Sequence, residues 1–230
     1  MNTKDKIIHT SILLFNENGE RAITTNHIAS NLGMSPGNLY YHFKNKEDII
    51  RHIFALYRDH LNTHFKPINK DDDAFNHLTA YLDSLFELMW RYHFFYDNLG
   101  DILSRDADLK QAYIDFQLEL LEQVRKIILG LRDSEMIAID GQDVIDLAHT
   151  LKLTVSFWTP YIKARRPSGT LAEQDIYHGI LKVLTLFRAY STDKSIDKMN
   201  LLREKYTELA QQALGPVDLS GLKFVQSRGD

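Results

Sequence analysis

The chain has 230 residues, 44% of them hydrophobic and 25% charged, which suffices for one large or two small domains with a sizeable core. It contains no cysteine, and its apolar runs are far shorter than the roughly 20 residues of a membrane span, so disulfides, thiolate metal sites and transmembrane helices are excluded. The net charge of −4 is unevenly divided, because residues 1–66 hold 8 Lys and Arg against 6 Asp and Glu, which permits a basic N-terminal face.

Two short helices are predicted at the start of the chain. Apolar residues recur at helical spacing through residues 8–15, and Gly19 can end this first helix. Thr24 or Thr25 can cap a second helix, which ends at Gly33, a residue suited to the left-handed conformation of a tight turn. Polar residues interrupt the N-terminal segment too often for a secretory signal, so we expect a cytoplasmic protein without a membrane partner.

A third helix begins abruptly after this turn and completes a helix-turn-helix. Ser35 can cap it, and Pro36 occupies its first position, where a missing N–H costs nothing. The remaining N–H groups and the positive end of the helix dipole are then free to face a phosphate. Gly37 lets the backbone approach base edges closely, and Asn38 can form two hydrogen bonds with adenine. The segment therefore predicts a helix that enters the major groove of DNA.

Polar and aromatic side chains dominate the end of this helix and the residues after it. They are Tyr40, Tyr41, His42, Lys44 and Lys46. Their hydroxyl, imidazole and ammonium groups are donors of the kind that contact the DNA backbone, and a tyrosine ring can pack against a thymine methyl group. Structural alternatives remain, since the tyrosines can pack at the rim of the head, the histidine can bond within the motif and Lys44 can be a solvated charge.

The stretch AITTNHIASNLGMSPGNLYYHFKNKEDII at residues 22–50 resembles the DNA-binding signature of the tetracycline-repressor (TetR) family. The resemblance rests on the paired threonines, the Ile-Ala pair, the pattern Gly-x-Ser-x-Gly-x-Leu-Tyr-x-His-Phe and the triplet Lys-Glu-Asp. It covers roughly residues 5–55, and the rest of the chain matches only in helical layout. The resemblance implies a homodimeric bacterial transcription factor, usually a repressor, which leaves a palindromic operator in double-stranded DNA when a small-molecule effector binds.

The resemblance also implies roles for individual residues. Phosphate contacts are expected from Thr25, Tyr40, His42 and Lys46, and base contacts from Pro36, Gly37, Asn38 and Tyr41. Pro36 departs from the family pattern, because relatives often hold lysine or another polar residue there and proline has no side-chain donor. We therefore expect Asn38 and Tyr41 to carry most of the base recognition.

Long amphipathic helices are predicted in the rest of the chain. A fourth helix runs from about Lys46 to Phe65 and ends before Pro67, and an acidic linker follows at residues 69–73. Pro160 must kink or end the helix in which it lies. The apolar stripes of the later helices cover residues 75–90, 109–131, 144–158, 176–190 and 195–214.

The sequence as a whole predicts an all-α protein. An N-terminal three-helix helix-turn-helix head is followed by a larger helical-bundle body for ligand binding and dimerisation. The predicted boundaries are residues 1–46 for the DNA-binding head, 47–66 for a connecting helix, 67–214 for the body and 215–230 for an irregular tail.

A cluster of large side chains in the body is the predicted effector site. Ligand cavities are mostly apolar and aromatic with a few polar anchors, so we expect an apolar or aromatic effector. The same stripe can instead be ordinary core. The predicted ligand-binding residues are Phe86, Met89, Trp90, His93, Phe94, Tyr113, Phe116, Phe157, Trp158 and Tyr161.

Dimerisation is expected from the helices around residues 144–158 and 176–187. Their apolar positions can pack as a four-helix bundle across a two-fold axis, or they can close the core of the body itself. These positions are Leu147, Leu151, Ile180, Leu184 and Phe187.

Two other functions fit parts of the sequence. An all-helical metal-binding enzyme would use His60 and His64, which are four residues apart, or Asp146 and His149, which resemble half of a di-iron motif. Neither set has a second half at matching spacing, so we expect no metal, cofactor or catalytic activity. A module that binds DNA nonspecifically is the other alternative.

Overall fold

The computed structural model describes residues 2–69, 72–166 and 169–213, and most of these lie in α-helices. Ten α-helices and one short 3-10 helix occupy those ranges, which contain no strand beyond a single bridge between Ile137 and Ser191. No helix within them is long and apolar enough to cross a membrane. The predicted all-α fold is confirmed. The predicted tail at residues 215–230 lies outside the described residues.

The helices of the head begin and end at local sequence signals. Gly19 and Gly33 have φ values of 80° and 63°, a left-handed conformation that glycine adopts without strain. The side chains of Thr24 and Ser35 each accept a hydrogen bond from the backbone N–H three residues later, at 3.3 and 3.2 Å. The head consists of α1 (Thr3–Asn18), the 3-10 helix (Glu20–Ala22), α2 (Thr25–Asn31) and α3 (Pro36–His42).

Helix α4 (Lys46–His64) follows α3 and runs from the head into the body. Asn45 caps it by accepting a hydrogen bond from the N–H of Asp48 at 2.8 Å. Its N-terminal half buries Ile49 and other isoleucines in the head, and its C-terminal half buries residues in the body. One continuous helix is therefore packed in both the head and the body.

Six further helices form the body. Helix α9 packs against α5, α8 and α10, and α7 lies beside α8. Five of the six overlap predicted apolar stripes, and the exception is α6. The body consists of α5 (Ala74–Arg91), α6 (His93–Arg105), α7 (Ala107–Asp133), α8 (Gln142–Arg165), α9 (Glu173–Arg188) and α10 (Ile196–Gln212).

The separate helix α6 was not predicted, because the break before it has no local signal. The chain leaves helical geometry at Tyr92, with φ −116° and ψ 24°, and no glycine, proline or polar cap stands there. Asn16 of α1 supplies the missing contacts instead. Its amide nitrogen donates to the carbonyl of Arg91 at 2.9 Å, and its amide oxygen accepts from the N–H of Phe94 at 3.0 Å. A side chain of the head therefore caps a helix of the body.

Helix α8 does not end at Pro160, which lies inside it, five residues before its last residue. Proline removes one backbone hydrogen bond, so contacts on either side must hold the helix together. The Trp158 indole donates to the carbonyl of Asp175 at 2.7 Å, and the Lys163 ammonium pairs with Asp97. Tertiary contacts thus override the local helix-breaking signal.

The apolar residues predicted for the dimer interface are buried within one chain. Each is at most 6% exposed, and they pack in the shared core of the body. The alternative that they close the body's own core is therefore the one that the structure supports. They are Leu147, Leu151, Ile180, Leu184 and Phe187.

Candidate nucleic-acid interface and ligand cavity

The turn between α2 and α3 fixes the orientation of α3 relative to α2. The N–H groups of Gly33 and Met34 donate to the carbonyls of Ser30 and Ala29 at 3.1 and 3.0 Å, which closes the end of α2. Pro36 occupies the first position of α3, as the sequence predicts. Backbone hydrogen bonds and proline geometry thus fix the direction in which α3 projects.

One face of α3 is exposed to solvent, and the opposite face is buried. Leu39 and Phe43 are at most 1% exposed and anchor the helix in the head. Pro36, Gly37, Asn38, Tyr40 and Tyr41 all lie on the exposed side. The Tyr41 side chain is 85% exposed, an unusual position for an aromatic ring. The four predicted base-contacting residues therefore share one accessible surface.

Two of the predicted phosphate-contacting residues lie together beside this surface. The Tyr40 hydroxyl and the Thr25 hydroxyl are 3.0 Å apart and hydrogen-bonded. His42 is half-buried, and its ring lies edge-on to Tyr41 with ring centroids 5.2 Å apart. Lys44 is exposed. Hydroxyl, imidazole and ammonium donors thus border the exposed face of α3.

Lys46 has a different environment from the one predicted. Its ammonium donates to the carbonyls of Glu20 and Ile23 at 3.0 and 3.1 Å and pairs with the Glu20 carboxylate at 2.8 Å. Its side chain is 16% exposed, and two backbone carbonyls and one carboxylate surround the ammonium. The phosphate contact expected from Lys46 stays a prediction, and in this structure its ammonium is engaged within the head. The residue joins the 3-10 helix to the start of α4.

A cluster of ion pairs connects the head to α6. The fully buried Glu20 carboxylate also pairs with Arg105 of α6 at 2.6 Å, and Arg21 pairs with Asp101 of the same helix. Hydrogen bonding from Arg21 lowers the pKa of Asp101. Sequence reasoning missed this cluster, because its partners are about 80 residues apart and no local pattern links them.

The ten predicted ligand-binding residues do not form one cavity. Met89, Phe94 and Phe116 are at most 1% exposed in the packed core. Tyr113 is half-buried and packs against Phe54, with the two ring centroids 6.0 Å apart. These four residues therefore fit the alternative that the aromatic stripe is ordinary core.

The other six lie elsewhere. Phe157 and Tyr161 are exposed on α8. The Trp158 ring lies so close to Gly179 that a Cβ there would be 2.7 Å away. Phe86, Trp90 and His93 line an open groove between α1 and the body. The ten residues are therefore divided among the core, the surface and this groove, and their role in effector binding stays a prediction.

An apolar cavity lies among α4, α5, α6, α7, α8 and α9. Its volume is about 100 Å³, and none of the ten predicted residues lines it. Its walls are mostly apolar residues at ordinary core spacing, so no sequence signal separates them from the rest of the core. The lining residues are Tyr57, Leu61, Phe65, Leu78, Tyr81, Leu82, Leu85, Leu88, Tyr96, Gln117, Leu120, Val124, Ile127, Leu151, Lys152, Val155, Ser156, Val183 and Phe187.

The histidines that suggested a metal site have protein partners. The His60 ring bonds to the Ser84 hydroxyl at 2.8 Å, and burial lowers the His60 pKa. The His64 ring bonds to the His60 carbonyl at 2.8 Å. Within the described ranges, no group of three or more His, Asp or Glu residues is placed to hold a metal ion.

Two family models match the chain. Residues 7–53 match the model described as bacterial regulatory proteins, tetR family, and residues 56–199 match the TetR model described as a bacterial transcriptional repressor. The biofilm operon icaADBC negative transcriptional regulator IcaR of Staphylococcus epidermidis is 28% identical over 153 residues, which are 63% of this chain and 77% of IcaR. The regulator QacR of Staphylococcus aureus is 49% identical over 56 residues, which are 24% of this chain and 30% of QacR.

Solved structures share the whole architecture. A TetR-family transcriptional regulator from Marinobacter aquaeolei VT8 is 37% identical, with 90% of this chain and 99% of that chain covered and a TM-score of 0.76. The regulator PfmR of Thermus thermophilus is 18% identical, with 79% and 97% covered and a TM-score of 0.58, a likeness in fold alone.

Proposed function

This chain belongs to the tetR family of bacterial regulatory proteins, and from that premise we propose that it is a ligand-responsive repressor acting as a homodimer on a palindromic operator. Family membership carries the coarser assignment, a DNA-binding transcriptional repressor. The dimer, the palindrome, the effector, a cytoplasmic location and the absence of catalytic activity are the finer parts of the proposal. The proposed units are residues 1–46 for DNA binding, 47–66 for connection and 67–214 for sensing and dimerisation.

The exposed face of α3 is the observation that carries the DNA-binding part. Gly37, Asn38 and Tyr41 are exposed to solvent, while Leu39 of the same helix is buried in the core of the head. An α-helix with an accessible polar and aromatic face fits the major groove, where base edges present donors, acceptors and thymine methyl groups. The hydroxyls of Thr25 and Tyr40, hydrogen-bonded to each other beside this face, are the proposed contacts to phosphates that border the groove.

Competition for DNA at fixed salt tests specific against nonspecific binding. We expect the DNA upstream of the chain's own gene to compete roughly 10³-fold or more better than the same DNA scrambled, as specific regulators do. Fluorescence anisotropy of a labelled upstream fragment measures the competition. Equal competition by the two DNAs would favour the nonspecific module and contradict an operator.

Substitution of Tyr41 or Asn38 tests the recognition surface. We expect Tyr41→Ala and Asn38→Ala each to reduce discrimination between the operator and single-base variants by about 1–3 kcal/mol. Both residues are exposed, so the fold is expected to be unaffected. Anisotropy titrations with the operator and its variants measure the change, and Leu201→Ala, an exposed position on α10, is the control. Equal weakening on every DNA sequence would contradict base recognition.

An exposed apolar stripe on α8 supports the homodimer. Ile145, His149, Leu153, Phe157 and Tyr161 follow one another every four residues, which places them on one face of the helix. Leu153 and Phe157 are 62% and 61% exposed in the single chain. Burial of such a stripe against its copy across a two-fold axis removes this apolar surface from water. We propose this face, in place of the buried leucines, as the dimer interface.

The position of α4 supports a route from effector to operator. Its residues Tyr57 and Leu61, with Phe65 at its end, line the cavity, and its other end is fixed to the head by Lys46. Two recognition helices must lie about 34–36 Å apart, or a multiple of that distance, to enter successive major grooves. An occupant that displaces α4 changes this spacing and lowers operator affinity. A ligand that swings the population from 1:99 to 99:1 must favour the released state by about 5.5 kcal/mol.

A further inference from the structure

The cavity of the body has a polar side and an apolar side. Gln117 of α7 and Lys152 and Ser156 of α8 lie at one side, and Lys152 is the single charged residue among the described residues of the lining. The α5 residues of the lining are apolar except for Tyr81. An occupant that satisfies both sides has a polar end and a hydrocarbon body.

The three tyrosines of the lining do not supply a polar anchor. The hydroxyls of Tyr57 and Tyr96 are 3.1 Å apart and hydrogen-bonded to each other. The Tyr81 hydroxyl donates to the carbonyl of Lys66. Burial raises the pKa of both Tyr57 and Tyr96, so their hydroxyls stay protonated at neutral pH. These residues therefore offer mainly ring surface to an occupant.

The charge of Lys152 is not compensated within the described part of the chain. Its ammonium donates to the backbone carbonyl of Gln117 at 2.9 Å, and no carboxylate there lies within ion-pair distance. Three other half-buried lysines differ, because Lys46, Lys163 and Lys205 pair with Glu20, Asp97 and Asp83. Burial lowers the Lys152 pKa, which reflects the cost of holding a charge there. A carboxylate brought by a ligand would offset this cost.

We propose that the cavity binds a small apolar monocarboxylic acid as its anion, with the carboxylate on the Lys152 ammonium and the hydrocarbon chain against the leucines of α5. The proposal rests on the proposed function only in making this acid the effector. A single lysine suits one carboxylate, whereas phosphate sites usually gather several donors. The cavity volume is about 100 Å³, so a short aliphatic chain fits better than a fused-ring compound.

Calorimetric titration of the purified full chain with butanoate, pentanoate and hexanoate at pH 7 tests the proposal. Hexan-1-ol and hexanamide are the neutral probes of matched chain length. We expect the wild type to bind hexanoate roughly ten- to hundredfold tighter than either neutral probe, as a charge-assisted hydrogen bond provides. We expect Lys152→Met to lose this preference while it still binds hexan-1-ol.

A matched variant and a stability measurement separate ligand binding from folding. Lys182→Met removes an exposed lysine of α9 and is expected to keep the wild-type preference. Without ligand, Lys152→Met is expected to melt at the same temperature as the wild type or higher, because it removes a half-buried charge that has no carboxylate partner.

Three results would overturn the proposal. They are equal affinity of the wild type for hexanoate and hexan-1-ol, an unchanged preference in Lys152→Met, and no binding of any of the three carboxylates. Operator binding is measured separately without ligand. A protein that binds its operator but ignores carboxylates loses this inference alone, and one that binds carboxylates but no specific DNA loses the proposed function alone.

Discussion

Replacing Glu20 by alanine is expected to lower the free energy of unfolding by about 3 kcal/mol or more, the low end of the loss for a broken buried ion pair. The Glu20 side chain is fully buried and pairs with Lys46 at 2.8 Å and with Arg105 at 2.6 Å. Alanine would leave two cations beside each other without the carboxylate that separates them. Because Arg105 is partly exposed, water offsets some of the loss. Urea denaturation followed by circular dichroism measures it.

A surface ion pair on α7 provides the control. Glu122 pairs with Arg125 at 2.7 Å, and the Glu122 side chain is 46% exposed. Exposed pairs contribute about 0–1 kcal/mol, so Glu122→Ala is expected to change stability by no more than that. Glu20→Gln keeps the side-chain volume and removes the charge. We expect it to lower the free energy of unfolding by most of the amount that Glu20→Ala does. Equal stability of the two alanine variants would show that the buried cluster does not hold the head to the body.

Replacing Phe157 by glutamate is expected to separate the dimer and to weaken operator binding by roughly 10²–10⁴-fold. The weakening follows because a linked second half-site multiplies affinity by about this factor through effective concentration. Phe157 is 61% exposed in the single chain, so glutamate there is compatible with the fold of one protomer. Across a two-fold axis, however, two charges would be buried in an apolar interface. Sedimentation equilibrium measures the association, and anisotropy measures operator affinity.

The control for this prediction is Leu201→Glu. Leu201 lies on α10 with 58% of its surface exposed, away from the stripe on α8. This variant is expected to dimerise and bind the operator as the wild type does. Circular dichroism of both variants at the concentration of the sedimentation run distinguishes separation from unfolding. A Phe157→Glu protein that stays dimeric would place the interface on another face.

The parts of the fold that the sequence predicts are those fixed by neighbouring residues. Gly33, Ser35 and Pro36 act within a single turn, so the start of α3 can be derived from them alone. The exposed face of α3 follows in turn, because burying Leu39 leaves Asn38 and Tyr41 outside. Periodicity likewise predicts the long helices, whose apolar faces repeat over several turns.

The parts that the sequence did not predict depend on contacts between distant residues. From the sequence alone, Lys46 is expected to be a free surface cation. Its partner Glu20 lies 26 residues earlier in the chain and comes close only in the folded structure. The cavity is lined by apolar side chains, and an apolar residue beside a cavity has the same sequence pattern as one in a fully packed core. The aromatic residues misled the prediction because large rings fill space well, and Phe94 and Phe116 do so here.

The two hydrogen bonds of Asn16 make the head a poor candidate for transfer between proteins. The helix break at Tyr92 is completed only when α1 is docked, since Asn16 contacts the carbonyl of Arg91 and the N–H of Phe94. A chimaera that joins this head to another sensing bundle would leave the Asn16 amide without its acceptor and donor. A change of operator specificity in this chain is therefore better made by exchanging side chains on α3 than by grafting the domain.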